Sequence, residues 1–216
     1  MWLAARELDE TKLPSLTWVN RNLQYTHGYG FAMSPVNEVN TEGMPNFFAK
    51  NIPPVSNAGI PIGRMGIYFG ELTSSYVFVN TTMPEWDYPS GRQQKVTRYA
   101  ANGGVKTGGL WRKLLFSLRF SDVNILLNEN IRPDSKILYY RNISDRIEKL
   151  LPFLRFDGDP YLVTAGGDLY WMRDGYTVTD AYPYSRYTQA DIFRFNYIRN
   201  SVKVVVNAYT GAVDAY

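Results

Sequence analysis

The stretch YLVTAGGDLYWM, residues 161–172, is the clearest indicator of the fold, because it predicts two strands joined by a tight turn. Residues 161–164 and 169–172 are rich in aromatic and β-branched side chains, which suit a pleated surface. The four residues between them, AGGD, are typical of a hairpin turn. A second hairpin is predicted for residues 201–208 and 212–216, with Thr210 and Gly211 in its turn. The C-terminal third is therefore expected to form antiparallel sheet.

Two helices are predicted before these hairpins. Over residues 110–118, leucine and tryptophan recur at steps of three and four residues, and the pattern resumes over residues 123–127 after a bend near Ser121. The second helix covers residues 143–151, where Asn142 is a suitable N-cap and Pro152 ends the helix. Together with the hairpins, this pattern predicts the α+β class: a mostly antiparallel sheet with two main helices packed on it.

Shorter strands are predicted in the middle of the chain. They are expected at residues 67–69, 76–79, 95–99 and 137–140, which combine aromatic and β-branched side chains. Residues 85–91, with the sequence EWDYPSG, are predicted to form a loop.

Residues 1–66 are predicted to be a long irregular segment rich in proline and glycine. Prolines at positions 14, 35, 45, 53, 54 and 61 remove backbone donors and restrict φ, which disfavours long helices and central strands. Irregular segments of this length are uncommon in compact domains, so we expect this one to wrap over a sheet formed by the rest. We interpret residues 1–216 as one domain with an irregular wrap (1–66) and an α+β core (67–216). Because the chain stops within a predicted strand, we expect an excised fragment of a larger region.

The composition excludes several classes of protein. The net charge is only +3, and no basic run exceeds the pair Arg112-Lys113, so we expect no nucleic-acid partner. Because the sequence has no cysteine, disulfides and thiolate chemistry are excluded. No apolar run reaches the ~18–20 residues needed to cross a bilayer, so this stretch taken alone is expected to be a soluble polypeptide. We predict no cofactor and no metal site.

The stretch LQYTHGYG, residues 23–30, contains the only histidine, His27. A single histidine rules out zinc sites built from several histidines. A catalytic triad would have to use His27 as its base, and the sequence has no G-x-S-x-G element to supply a serine partner. We therefore predict that His27 is a structural hydrogen-bonding residue in a tight, glycine-rich turn.

Three carboxylates form the alternative candidate site. Glu71, Glu85 and Asp87 lie near Tyr68, Trp86 and Tyr88 in the sequence, and sugars stack on such aromatic faces. A glycoside hydrolase needs two carboxyl groups held ~5–10 Å apart, a separation that sequence does not reveal. The candidate ligand-binding residues are Tyr25, His27, Tyr29, Glu71, Glu85, Trp86 and Asp87, and no residue is assigned a catalytic role.

A series of short motifs runs along the chain: YTHGYG (25–30), SPVN (34–37), IYFGE (67–71), EWDYP (85–89), PFLRFDGDPYLV (152–163), GYT (175–177), YPYS (182–185) and FNYIRNSVKVVVNAYTG (195–211). The order of these motifs resembles that of the uncharacterised protein family UPF0182. The resemblance implies a large bacterial membrane protein with N-terminal transmembrane helices followed by a large extracytoplasmic domain, of which this chain would be part. It implies no catalytic residue, and Asn207 and Thr210 replace the acidic residues that the family usually has in that turn.

Three hypotheses of function follow. The first is a non-enzymatic extracytoplasmic domain that binds an unknown cell-envelope ligand or protein for its membrane anchor. The second is a glycan-acting enzyme that uses Glu71, Glu85 or Asp87. The third is a purely structural assembly domain, which would leave a sizeable apolar face bare.

Overall fold

The computed structural model describes residues 1–91, 93–190 and 193–216. Its α-helices are α1 (Leu110–Phe120), α2 (Asn124–Leu127) and α3 (Ile143–Leu150). A 3-10 turn at Glu10–Lys12 and a π-helical turn at Asn20–Gln24 precede them. The predicted two main helices are confirmed as α1 and α3, since α2 is a single turn that follows α1.

Short strands make up most of the remaining regular structure. Those before α1 are β1 (Trp2–Ala5), β2 (Gly28–Tyr29), β3 (Phe31–Ser34), β4 (Ala49–Lys50), β5 (Val55–Ser56), β6 (Gly66–Ile67), β7 (Val77–Val79), β8 (Glu85–Ser90), β9 (Gln93–Thr97) and β10 (Val105–Lys106). Those after α2 are β11 (Lys136–Leu138), β12 (Arg155–Phe156), β13 (Tyr161–Ala165), β14 (Asp168–Thr179), β15 (Thr188–Ala190), β16 (Phe193–Phe195), β17 (Tyr197–Asn207) and β18 (Val213–Ala215).

The largest sheet is built on the long strands β14 and β17, which pair antiparallel. Its order is β12, β14, β17, β18, with β13 also paired to β14. The loop between β13 and β14 is Gly166-Gly167, whose φ angles of 60° and 89° are the positive values that a type I′ turn requires. Both predicted hairpins are confirmed, as is the α+β class with mostly antiparallel sheets.

The core has two parts, which lie on opposite faces of the sheet β10-β11-β7. Val77, Val79 and Leu138 belong to the larger part, which also contains Trp171 and Val206 of the long strands and Ile143 and Ile147 of α3. Phe78 and Ile137 point to the smaller part with Leu23 and Ile125, on which α1 packs through Phe116 and Phe120. The alternation of side chains along each strand therefore separates the two clusters.

Helix α3 begins as the sequence predicted. The Asn142 side chain accepts hydrogen bonds from the backbone N–H groups of Ser144 and Asp145, at 3.0 and 3.2 Å. This cap satisfies donors that a helix start leaves unpaired.

The N-terminal segment is less irregular than its prolines indicate. It contains a four-stranded sheet in the order β1, β3, β4, β5, and β1 pairs along its whole length with β3. The prolines lie between these strands: Pro35 follows β3, and Pro53 and Pro54 separate β4 from β5. Proline is compatible with such short elements because its missing N–H falls in the connections.

The prediction of a loop at residues 85–91 is wrong. Residues Glu85–Ser90 form β8, which pairs with β9 and has an irregularity between Trp86 and Pro89. A two-stranded ribbon tolerates proline at such a bulge, because no further strand needs its N–H. The neighbouring predicted strand, residues 95–99, is present two residues earlier as β9.

Candidate functional site

Most of the residues predicted to bind a ligand meet around His27. Pairing of β2 with β6 places His27 beside Tyr68, and their rings stack at a centroid distance of 4.3 Å. The start of β8 brings Glu85 and Asp87 to the same ring. Only 4% of His27 is exposed, so the cluster lies within the protein.

Both ring nitrogens of His27 have hydrogen-bond partners. Nε2 lies 3.2 Å from Oδ1 of Asp87, and Nδ1 lies 2.8 Å from the hydroxyl of Thr26. The Thr26 hydroxyl also donates to Oε2 of Glu85 at 2.8 Å. The imidazole is therefore held from both sides by two side chains, whereas the sequence predicts a structural hydrogen bond within a tight turn.

Glu85 is the most connected carboxylate of this cluster and is fully buried. Its Oε2 accepts from the Tyr68 hydroxyl at 2.6 Å, and its Oε1 accepts from the backbone N–H of Tyr99 at 3.1 Å. Burial, reinforced by the charge of Glu85, raises the pKa of Tyr68 well above its usual value. The Tyr99 hydroxyl is also buried but has no hydrogen-bond partner among the described residues.

A buried arginine ties the cluster to the rest of the core. Arg141 donates from Nε to the carbonyl of Tyr68 at 2.7 Å and from Nη2 to the carbonyl of Thr26 at 2.6 Å. Burial lowers the pKa of Arg141 to about 10 despite the nearby charge of Glu10, 3.8 Å away. The burial of Arg141 was not predictable, since an arginine directly after a predicted strand carries no signal of burial in the sequence.

The aromatic candidates pack on one another beside the cluster. Tyr25 lies against Trp86 at 5.0 Å between ring centroids, and Tyr29 lies against Tyr88 at 4.6 Å. Burial, with the charge of Asp87, raises the pKa of Tyr29 to about 12. Because these rings pack on each other, part of each face is not free to stack on a sugar.

Thr26, His27 and Asp87 are arranged like the nucleophile, the base and the orienting carboxylate of a catalytic triad. Thr26, however, has no exposed surface, and its hydroxyl already donates to Glu85. A nucleophile must reach the substrate atom that it attacks. The arrangement can hold a loop in place, but in this conformation it cannot attack a substrate.

Glu71 lies apart from the cluster, in an open cleft of about 640 Å³. The cleft also holds the carboxylates of Glu7 and Asp159 and the rings of Trp2 and Tyr161. Burial raises the pKa of Glu71, and the charges of Glu7 and Asp159 raise it further. The three carboxylates singled out in the sequence therefore occupy two separate places.

A second cavity, of about 350 Å³, lies between β11, α3 and the β10 region. Its walls include Phe69, Leu138 and Leu150, and its cations are Arg146 and Lys149. Gly104 borders it with a φ of 85°, where a Cβ would approach Leu138 Cδ2 to 2.6 Å. This cavity was not predictable from the sequence, because the strand and the helix that form it contain no recognisable motif.

Within the described residues, no three histidine, aspartate or glutamate side chains are placed to hold a metal ion. Among the same residues, no helix is long and apolar enough to cross a bilayer.

These features define a mixed α+β domain in which the predicted site is a closed polar and aromatic cluster, while the open cavities are lined by other residues. The chain belongs to the uncharacterised protein family UPF0182, whose sequence profile matches residues 1–216. The resemblance inferred from the motifs is thereby confirmed.

Curated relatives share this stretch at high identity. A UPF0182 protein of Moorella thermoacetica is 52% identical over 218 residues, which cover 99% of this chain and 24% of that relative. One of Pelotomaculum thermopropionicum is 49% identical over 217 residues (99% and 23%), and one of Synechocystis is 46% identical over 235 residues (98% and 23%). The chain thus spans about a quarter of the length of these relatives. No solved structure matches it significantly.

Proposed function

We propose that this region is a non-enzymatic assembly domain on the extracytoplasmic side of a membrane-anchored protein, with other segments of that protein as its partner. The observation that carries the proposal is a bare apolar face on α1 and α2. The closed His27 cluster supports the non-enzymatic part, because its reactive groups are used in contacts with one another. The motif resemblance motivates the membrane anchor and the extracytoplasmic side.

The bare face is formed by side chains that a folded domain normally covers. Trp111 is 78% exposed and Leu115 is 63% exposed, on adjacent turns of α1. The exposed large apolar side chains of α1, α2 and the turn between them are Leu110, Trp111, Leu115, Leu118, Val123 and Leu127. On α1, Trp111, Leu115 and Leu118 follow at the spacing of one helix face, and an exposed apolar face of this kind marks an interaction surface.

Other polypeptide of the same protein is the proposed occupant of this face. The chain covers about a quarter of its relatives, so a protein of their length would have some three quarters of its residues available to cover it. An intramolecular partner needs little intrinsic affinity, because the connecting chain keeps its effective concentration high. The face would then be buried in the full-length protein and exposed in the isolated region.

Cysteine labelling in the full-length protein tests both parts of this proposal. This stretch has no cysteine, so single substitutions introduce unique thiols here, and unsubstituted full-length protein gives the background. We expect Tyr184→Cys, at a fully exposed position, to react with a membrane-impermeant maleimide in intact cells. Reaction of Tyr184→Cys only after lysis would contradict the extracytoplasmic location.

The test of docking at α1 compares the labelling of two leucine positions that have similar exposure. Leu115→Cys and Leu16→Cys, at positions 63% and 60% exposed, should react at similar rates in the isolated region. In the full-length protein we expect Leu115→Cys to react at least about tenfold more slowly, while Leu16→Cys stays reactive. Equal rates at both positions in the full-length protein would overturn docking at α1.

A second candidate function is glycan hydrolysis in the acidic cleft. The observation that favours it is the raised pKa of Glu71 beside Glu7 and Asp159, since a general acid needs such a shift. If the candidate holds, purified protein releases reducing sugar from cell-wall glycans, and Glu71→Gln abolishes the release while Glu42→Gln does not. Hydrolysis with this mutational pattern would replace the non-enzymatic proposal.

A further inference from the structure

Three cations converge on Tyr140, at the rim of the cavity between β11 and α3. Arg119 donates from Nη2 to the Tyr140 hydroxyl at 2.8 Å, and Arg146 donates from Nη1 to the Tyr140 carbonyl at 3.3 Å. The ammonium of Lys149 lies 5.7 Å from the centroid of the Tyr140 ring. Residues that are distant in sequence thus concentrate positive charge in one place.

No described carboxylate forms a salt bridge with any of these three cations. Instead, Arg119 lies over the rings of Tyr139 and Tyr140, and Arg146 lies over the ring of Phe69 at 4.8 Å. Burial lowers the pKa of Arg146, as expected of a cation held without a carboxylate partner. An incoming anion would meet little competition from the protein's own acids.

The walls beneath the cations are apolar. Phe69, Val105, Leu138 and Leu150 line the cavity, whose volume of about 350 Å³ is within the range of small-molecule sites. Of these four, Val105 and Leu150 are exposed, at 39% and 55%, whereas Phe69 and Leu138 are almost fully buried beneath them. An inorganic anion would leave these walls without contacts, whereas an anion attached to an apolar chain would use both halves of the site.

We propose that this cavity binds an amphiphilic anion, with a phosphate or a similar head group at Arg119, Arg146 and Lys149 and an apolar chain against Val105 and Leu150, the exposed apolar side chains of its wall. The proposal goes beyond the docking role given above, because it names a ligand class for a different site of the same domain. The shared chemistry has two sources: a free alkyl phosphate and the head group of a phospholipid in a bilayer.

Calorimetric titration of the purified 216-residue chain with n-octyl phosphate, below its micelle concentration, tests the proposal. Inorganic phosphate and 1-octanol serve as the separate halves of the ligand. We expect octyl phosphate to bind at least about tenfold more tightly than either half. Inorganic phosphate binding as tightly as octyl phosphate would overturn the role of the apolar walls, and no binding of octyl phosphate or of anionic vesicles would overturn the site.

Matched charge variants separate the site from general attraction. Arg119→Gln with Lys149→Gln removes two exposed cations of the site, and Lys95→Gln with Arg199→Gln removes two exposed cations elsewhere. We expect the first pair to weaken octyl phosphate binding by about tenfold or more and the second pair to leave it within about twofold. Equal losses in both pairs would mean non-specific attraction and would contradict the proposal.

Vesicles decide between the two sources. Sedimentation with phosphatidylcholine vesicles, alone or mixed equally with phosphatidylglycerol, measures binding to a bilayer. Binding to mixed vesicles that is lost in the Arg119/Lys149 pair supports a lipid head group, and binding of octyl phosphate without vesicle binding supports a free amphiphile. If neither octyl phosphate nor vesicles bind, the amphiphilic anion is excluded as the ligand. The labelling of Leu115→Cys would be unaffected by that result, so this proposal and the docking proposal can fail separately.

Discussion

His27 illustrates how a residue suited to chemistry becomes part of the structure. Its two nitrogens contact Thr26 and Asp87, and its face stacks on Tyr68. An imidazole active in catalysis needs at least one nitrogen that can reach a substrate or a water molecule. The burial of His27 and of its partner Thr26 denies it that access.

Replacement of His27 by glutamine is expected to reduce stability. Glutamine lacks the ring that stacks on Tyr68, and it can form at most one of the two hydrogen bonds to Thr26 and Asp87. We therefore expect a loss of about 2 kcal/mol in the free energy of unfolding. Urea denaturation followed by circular dichroism measures this change. A variant with native stability that lost a binding or enzymatic activity would contradict the structural role.

Glu85 is expected to matter more than His27, because it accepts three hydrogen bonds within the core. In Glu85→Gln the new amide group would point N–H donors at groups that are donors themselves. We therefore expect a loss of about 3 kcal/mol in the free energy of unfolding. The exposed substitution Glu42→Gln is the control and should stay within about 0.5 kcal/mol of the parent chain. Equal unfolding midpoints for the two variants would refute this role for Glu85.

At the scale of elements, α1 shows that periodicity gives a helix but not its orientation. The recurrence of Leu110, Trp111, Leu115 and Leu118 correctly predicted a helix, and such a stripe ordinarily faces a core. In the structure these residues are exposed, and Phe116 and Phe120 make the packed face. Two apolar faces on one helix are expected when one covers the domain and the other contacts a partner.

Paired substitutions in α1 separate these two faces. We expect Leu115→Gln to change the free energy of unfolding of the isolated region by less than about 0.5 kcal/mol, because the side chain is already in water. Phe116→Ala should cost about 2 kcal/mol, because its ring packs near Phe120 and Tyr139. Thermal or urea unfolding compares the two. A larger loss for Leu115→Gln than for Phe116→Ala would reverse our assignment of the faces.

For the whole molecule, buried tyrosines predict sensitivity to alkali. Burial is the main cause that raises the pKa of Tyr29, Tyr68, Tyr76 and Tyr99 above 10.0. Each contributes stability that is fully present below pH 10 and is lost as pH rises from there toward the folded pKa, because the unfolded chain releases the proton first. Lys113, Arg141 and Arg146 act in the opposite direction, because burial lowers their pKa values, but they are three groups against four.

We therefore expect the unfolding temperature to fall between about pH 10 and about pH 12, together with a rise in tyrosinate absorbance. Tyr29→Phe should make this fall shallower, since Tyr29 no longer ionises in the unfolded chain. Tyr184→Phe is the matched control at an exposed position and should leave the pH dependence unchanged. An unfolding temperature that is constant over this range would contradict the prediction.

Local sequence determined the elements whose signals are themselves local. The Gly166-Gly167 turn, the Asn142 cap and the alternation along β14 each depend on neighbouring residues, so the hairpins, the start of α3 and the α+β class were predictable. The collinear motifs likewise gave the family, because they record ancestry rather than contacts.

Only the tertiary structure determined which side chains these elements bring together. It joined Glu85 and Asp87 to His27 but placed Glu71 in another cleft, and it turned residues 85–90 into a strand by supplying β9 as a partner. It also brought Arg119, Arg146 and Lys149 to one tyrosine. The physical reason is that strand pairing and burial depend on contacts between residues far apart in the chain, for which the nearby sequence carries no signal.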